Sequence, residues 1–302
     1  MSIEPLSRSE KSTNVRAVGT ATTSEGRAAL ERRLRQGLAA AERVHPQVAA
    51  HLARLAFLTP VRHPRPARET ALLADAERFT VRVGARRVAA WSWGDGAPVL
   101  LVHGWEGRGA QLGAFVKPLV DADLRVVAFD APGHGESDGW TTNLPEMAAA
   151  VLAVDHAVGG AVGVVAHSFG ACAVSLAMVE GFAPLAAVYV APAAGVEETI
   201  ARYRRIAGFG DDVESRLRAD LARRTTIPLD RMTRDVLCGA HPQPPLLVVH
   251  DADDDEVPTE EARSIVDAWP GARLMETHGL GHRRILRDPS VVAAASAHLG
   301  AR

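Results

Sequence analysis

The chain has 302 residues, of which 47% are hydrophobic and 23% charged, and its formal net charge is −2. These values are typical of a globular protein with one large α/β domain or two smaller ones. A charge so close to balance argues against a nucleic-acid partner and against an electrostatically bound membrane surface. The two cysteines, Cys172 and Cys238, form no spaced framework, so we expect a reducing, cytoplasmic location.

The N-terminal quarter divides into two parts. Residues 1–22 are polar and small, without the apolar core of a secretory signal, and are predicted to be disordered. Residues 23–70 are predicted to form a helical extension: one helix from Ser24, a second opened by Pro46, and a proline-rich, stiff connector over residues 59–70. We expect the amphipathic helix pair to pack on the body of the protein, with a membrane or partner contact as the alternative.

Residues 71–302 alternate short apolar runs with helical segments. A hairpin that turns at Gly84 comes first, and unbroken apolar runs follow, at residues 99–102, 124–129, 161–165, 185–190 and 246–249. Such runs predict a parallel sheet that is buried on both faces. The most apolar stretch, residues 148–179, is interrupted by charged and polar residues, so we predict no integral membrane segment.

One interval is too long for a simple crossover between strands, at about residues 196–240. Asp211 and Asp212 are predicted to cap a helix there, and a second short helix is predicted from about Asp230 to Leu237. A helical insertion at this point of an α/β fold is expected to lie as a cap over the carboxyl ends of the strands, where ligands bind.

The most informative turn surrounds Ser168. A predicted buried strand ends just before it, a predicted helix from Ala171 follows it, and the small residues Ala166 and Gly170 stand two positions to either side. A serine on a sharp strand-to-helix turn needs small neighbours, because strand and helix cross there, and its hydroxyl is lifted out of the sheet. The alternative is a serine that caps an ordinary helix.

Four motifs in order give the chain a resemblance to the α/β-hydrolase superfamily over about residues 77–300. They are His103-Gly104-Trp105 after a strand, residues 130–137 after the next strand, the turn at Ser168, and residues 251–258 followed by Gly281-His282. The resemblance implies the α/β-hydrolase fold: a mostly parallel central sheet with helices on both faces, here with a small helical cap and the N-terminal helical extension. It also implies the chain order serine, acid, histidine.

A serine hydroxyl needs a base within hydrogen-bond reach, and the base needs a carboxylate that holds its tautomer. The resemblance implies that His282, in a loop after the predicted strand 272–276, is the base, with His278 as the rival. It selects Asp254 as the acid because of its spacing to Pro258, with Asp253 as the alternative. Asp251 and Asp255 are interpreted as turn residues and solvated charges.

The resemblance also implies an oxyanion hole made by the backbone N–H groups of Trp105 and Phe169. His103, His167 and Glu106 are interpreted as residues that line the pocket or shape its loops. Glu106 stands where many relatives have a proline; we favour a structural tie to a neighbour over contact with substrate. Gly279 and Gly281 make a helix improbable between His278 and His282, so no metal site is predicted.

The sequence therefore predicts a serine hydrolase that cleaves a small carboxylic ester or thioester through an acyl-enzyme on Ser168, with no cofactor. The same triad in related proteins also serves C–C bond hydrolysis and perhydrolysis. A catalytically silent scaffold that binds a small ligand or partner is the alternative from a different class. Neither the acyl and alcohol specificity nor the oligomeric state follows from the sequence.

Overall fold

The computed structural model describes residues 24–239 and 242–300, so the segment 1–22, predicted to be disordered, lies outside it. Its N-terminal part is helical, with α1 (Ser24–Val44), α2 (Pro46–Leu58) and α3 (Ala67–Ala74). Pro46 at the first position of α2 costs no hydrogen bond, because that position has no intrahelical acceptor. None of the described helices combines the length with the apolar character that a bilayer crossing requires.

The predicted stiff connector over residues 59–70 is wrong in its second half, because α3 begins at Ala67. Pro66 occupies the N-cap position with an extended backbone (φ −64°, ψ 151°), and a proline there removes no helical hydrogen bond. Glu69 in the first turn of α3 is buried and forms an ion pair with the guanidinium of Arg108. This buried pair attaches α3 to the body of the protein.

The strands in the described residues are β1 (Glu77–Val83), β2 (Arg86–Trp93), β3 (Ala97–Val102), β4 (Leu124–Phe129), β5 (Gly163–His167), β6 (Ala186–Val190), β7 (Leu246–Asp251) and β8 (Arg273–Thr277). They form one sheet in the order β1-β2-β4-β3-β5-β6-β7-β8. The hairpin predicted around Gly84 is present, and β2 is antiparallel to both of its neighbours, while all pairs from β4 to β8 are parallel.

The central strands β3 to β7 are buried on both faces, as their unbroken apolar runs predicted, whereas the edge strands β1 and β8 are more exposed. Along β3, Leu100 and Val102 belong to one buried cluster, whereas Val99 and Leu101 belong to the other. This alternation is what a parallel strand covered by helices on both sides produces. The covering helices are α4 (Val116–Val120), α5 (Leu144–Val158), α6 (Phe169–Val179), α10 (Thr259–Ala268) and α12 (Pro289–Gly300), and a one-turn helix, α11 (Gly281–Arg284), follows the last strand.

The long interval between β6 and β7 is helical, with α7 (Val196–Ala207), α8 (Asp211–Arg224) and α9 (Arg234–Gly239). Asp211 and Asp212 do not cap α8: Gly210 is the N-cap residue, and the two carboxylates lie in the first turn, where they bind arginines. The helix predicted from Asp230 begins later, at Arg234, since Asp230 lies in a separate 3₁₀ turn.

The N-terminal helices pack on this insertion. The Arg54 guanidinium of α2 lies 3.1 Å from the carboxylate of Asp220 on α8, and the Tyr203 hydroxyl of α7 donates to the Ala53 carbonyl at 2.8 Å. The Phe57 ring also contacts Tyr203, at 5.0 Å between centroids. The predicted extension and the predicted cap therefore contact each other directly.

Candidate active site

Ser168 stands between β5 and α6 in a strained backbone conformation, with φ 53° and ψ −126°. Non-glycine residues rarely adopt a positive φ, so the surrounding structure must impose it. A Cβ atom added to Gly170 would lie 2.5 Å from the His103 carbonyl oxygen and 2.8 Å from that of Val102. The small residue two positions after the serine is therefore required, because α6 runs against the end of β3.

The loop after β3 approaches the serine as closely. A Cβ atom on Gly104 would lie 2.8 Å from the Ser168 Cβ and 3.0 Å from the His167 carbonyl oxygen. Only glycine fits there without displacing the serine. Gly104 therefore brings the segment that carries Trp105 next to the Ser168 hydroxyl.

Three predicted residues from distant parts of the chain form one hydrogen-bonded chain. The Nε2 atom of His282 lies 3.0 Å from Ser168 Oγ, and its Nδ1 atom lies 2.7 Å from Asp254 Oδ2. An ionised carboxylate only accepts, so Nδ1 carries the proton and Nε2 is free to accept from the serine. The sequence predicted His282 in a loop, but the residue lies in the one-turn helix α11, which starts at Gly281 with φ 62°.

The Asp254 side chain is fully buried and remains an acceptor. Burial alone would raise the pKa of this carboxyl, but the hydrogen bond and charge of His282 and the N–H groups of Val257 and Glu256 hold it below its ordinary value. Asp254 Oδ1 accepts those two N–H groups at 2.9 Å and 2.8 Å. Both oxygens are therefore occupied, and one of them faces the imidazole.

The rival candidates point elsewhere. Asp253 is exposed, and its carboxylate accepts the Gly279 N–H at 2.8 Å, on the turn that precedes His282. His278 is also exposed. The structure therefore brings Asp254 and His282 to Ser168 in preference to the neighbouring aspartate and histidine.

The interpretation of Asp251 as a solvated charge is wrong. It is fully buried at the end of β7, and its carboxylate accepts the Thr277 hydroxyl at 2.7 Å and the N–H groups of Gly281 at 2.9 Å, Leu280 at 3.1 Å and Asp253 at 3.1 Å. Burial would raise the pKa of Asp251, but these donors lower it. Asp251 is one of four closely spaced aspartates, and no motif set it apart from the others. The one signal in the sequence for its burial was its position at the end of an apolar run.

Two buried histidines hold the loop that carries Trp105. His103 Nδ1 donates to the Gly104 carbonyl at 2.7 Å, while its Nε2 accepts the Ala131 N–H at 2.8 Å. His134 Nδ1 donates to the Pro132 carbonyl at 3.1 Å, and its Nε2 accepts the Glu106 N–H at 3.1 Å. Burial lowers the pKa of His103 to about 4 and that of His134 to about 3. Both rings are neutral, as their accepting nitrogens require.

Glu106 adopts a positive φ of 57°, and its side chain reaches the connector between α2 and α3. One carboxylate oxygen accepts the Val61 N–H at 3.3 Å, and the other lies 3.8 Å from His63 Nε2. These contacts support the structural role that the sequence favoured for this residue. The Trp105 ring meets the Phe169 ring edge to face, at 5.9 Å between centroids.

A sequence profile of the Alpha/beta hydrolase family matches residues 99–295, which is more than half of the chain. The chain belongs to this family. Among the residues that the structure describes, no group of three or more histidine, cysteine, aspartate or glutamate side chains is arranged to hold a metal ion.

Solved structures with a similar fold carry the names of different enzymes. An esterase from Pyrococcus furiosus has a similar structure, with a TM-score of 0.61 at 18% identity over 80% of this chain and 98% of its own. A bromoperoxidase from Bacillus anthracis has a TM-score of 0.58 at 15% identity, over 75% of this chain and 100% of its own. These likenesses show the fold.

Curated relatives match over shorter stretches. The dihydrolipoyllysine-residue acetyltransferase component of an acetoin cleaving system from Pseudomonas putida is 39% identical over 110 residues, which are 35% of this chain and 29% of that protein. The α/β-hydrolase therefore spans less than a third of the length of that relative.

Proposed function

We propose that this α/β-hydrolase cleaves a carboxylic ester, or a thioester, of a small molecule through an acyl-enzyme on Ser168. The observation that carries the proposal is the chain from Ser168 Oγ through His282 to Asp254, with distances of 3.0 Å and 2.7 Å. His282 accepts the hydroxyl proton as Oγ attacks the acyl carbon and then donates it to the leaving alcohol or thiol. Asp254 stabilises the imidazolium that forms between these steps.

The oxyanion would be held by the backbone N–H groups of Trp105 and Phe169. Phe169 opens α6, and the first N–H groups of a helix have no intrahelical acceptor and lie at the positive end of its dipole. Trp105 follows Gly104 in the chain. The close approach of Gly104 to Ser168 would therefore set the distance between the Trp105 N–H and the acyl carbon. His103 and His134 hold this segment through hydrogen bonds to the Gly104 carbonyl and the Glu106 N–H. In the second half-reaction, water replaces the alcohol and the same groups release the acid.

The remaining assignments follow from this chemistry. The helices α7 to α9 would act as the cap over the carboxyl ends of the strands, with the N-terminal helices as its outer support, and no cofactor is needed for acyl transfer.

Cys172 and Cys238 are both free and buried, which supports the expectation of a reducing, cytoplasmic location. Perhydrolysis and C–C hydrolysis would use the same groups. Perhydrolysis is the second candidate function, because a bromoperoxidase has a similar fold.

Turnover assays test the proposal and separate it from a silent scaffold. Purified protein would be assayed on matched acyl esters and thioesters of increasing chain length, with hydrogen peroxide added in a parallel series to detect peracid. We expect ester or thioester hydrolysis that His282→Gln abolishes. If no acyl substrate is turned over and no acyl adduct forms, the scaffold that binds a ligand or partner is the correct interpretation; peracid formation in preference to hydrolysis supports perhydrolysis.

A further inference from the structure

His167, the last residue of β5, contacts both the backbone and the ring of His282. Its Nε2 atom lies 3.0 Å from the backbone carbonyl oxygen of His282, and the two imidazole rings lie 4.7 Å apart between centroids, tilted by 45° to each other. A carbonyl oxygen only accepts, so His167 Nε2 carries the proton and donates. Burial lowers the pKa of His167 well below its ordinary value, so this ring is neutral.

The two residues of the turn therefore contact different groups of His282. Ser168 Oγ meets the ring nitrogen Nε2, and His167 holds the main chain of the same residue. His282 needs such support because α11 is only four residues long. Asp251 holds the chain just before it, through the Leu280 and Gly281 N–H groups.

We propose that His167 is a positioning residue that fixes the distance between the His282 imidazole and Ser168 Oγ through its Nε2–H donation to the His282 carbonyl. The inference rests on the proposed function, because positioning matters only if His282 is the base. It assigns a role in the reaction to a residue interpreted from the sequence only as lining or loop-shaping. A misplacement of the base by about 1 Å costs roughly 10²-fold in rate, so the contact is important for turnover.

Two matched variants test the inference. His167→Gln places an amide N–H near the position of Nε2, whereas His167→Asn carries the same group on a side chain one carbon shorter, which cannot reach the carbonyl. We expect the Gln variant to keep kcat within about 3-fold of the unaltered enzyme. The Asn variant should lose at least about 30-fold in kcat with little change in KM, and its labelling by a fluorophosphonate should slow in parallel.

A second readout does not depend on turnover. The proton on His282 Nδ1, held by Asp254, should give a downfield proton resonance that His282→Gln removes. We expect this resonance in the unaltered protein and in His167→Gln, and its loss or broadening in His167→Asn. Thermal melting of each variant shows whether it is folded.

Equal kcat and equal resonances in the two variants would overturn the inference. So would a Gln variant that melts normally yet loses more than about 10-fold in kcat, a result that decides the question even if the Asn variant does not fold. Failure of the proposed function looks different: Ser168→Ala would keep its turnover, or the unaltered enzyme would have none, while the resonance still reports whether His167 positions His282.

Discussion

The carboxylate of Asp251 accepts the backbone N–H of Gly281 at 2.9 Å and thereby ties the end of β7 to the start of α11. The same carboxylate accepts the N–H of Asp253, next to the proposed acid. One buried side chain therefore holds both the segment that carries Asp254 and the segment that carries His282. The geometry of the proposed triad depends on a residue outside it.

Asp251→Asn should weaken both the fold and the site. The amide has the same shape but no charge, and its NH₂ group faces N–H donors that then lack an acceptor. We expect a loss of about 1–3 kcal/mol in the free energy of unfolding, measured by urea denaturation, together with a lower kcat. Asp255→Asn is the matched control, because Asp255 is exposed in the same loop. Equal stability and kcat in the two variants would refute the role of Asp251.

The two neighbouring aspartates should differ in their effect on rate. Asp254→Asn would leave Nδ1 of His282 without its carboxylate, and the equivalent change in a serine protease lowered kcat about 10⁴-fold. Asp253→Asn should lower kcat by no more than a few-fold, because the Asp253 carboxylate accepts the Gly279 N–H on the turn rather than a proton of His282. Steady-state kinetics of both variants on one ester measures the difference. A larger loss in the Asp253 variant would move the acid role there.

Gly104→Ala should displace the nucleophile. The new Cβ atom would lie 2.8 Å from the Ser168 Cβ, a contact that requires movement of the serine or of the loop that carries Trp105. We expect at least about 10²-fold slower fluorophosphonate labelling. Gly37→Ala is the control: nothing lies within 4 Å of its new Cβ in α1, so it should label normally and gain up to about 1 kcal/mol of stability. Normal labelling of Gly104→Ala would contradict the described approach of the loop.

Stability should fall as pH falls from about 6.5 to 4, because His103 and His134 are held neutral. Burial lowers the pKa of His103 to about 4 from an ordinary 6.5, so between these values the unfolded chain binds a proton that the folded protein does not. One such group contributes a slope of at most about 1.4 kcal/mol per pH unit. Urea denaturation from pH 7 to pH 4 measures the slope, and His103→Gln should reduce it. An unchanged slope in the variant would show that His103 is not held neutral.

Patterns of residues were sufficient to predict the fold and to select three residues, Ser168, Asp254 and His282, that the structure brings together. The unbroken apolar runs predicted a parallel sheet buried on both faces, since such strands expose no polar face. Small residues around Ser168 predicted the strained turn because no larger side chain fits where α6 crosses β3. These are local steric requirements, and a single sequence displays them.

Contacts between distant segments were not predictable in the same way. Asp251 looks like its aspartate neighbours in the sequence, and only its burial beside β8 gives it four donors. The donation from His167 to His282 joins residues 115 positions apart. Helix ends were missed for a related reason. Glu69 in the first turn of α3 is buried against Arg108, a contact between distant segments, and Gly210 rather than Asp211 or Asp212 is the N-cap residue of α8.

Mass spectrometry of the protein after treatment with a fluorophosphonate, before and after proteolysis, shows whether Ser168 is an activated nucleophile. The hydroxyl of Ser168 is the group that we propose to form the covalent adduct with the fluorophosphonate. We predict one adduct per chain, located on the peptide that contains Ser168, and none in Ser168→Ala, which should melt like the unaltered protein. An adduct of equal yield in Ser168→Ala, or no adduct in the folded, unaltered protein, would contradict the assignment of Ser168 as the activated nucleophile.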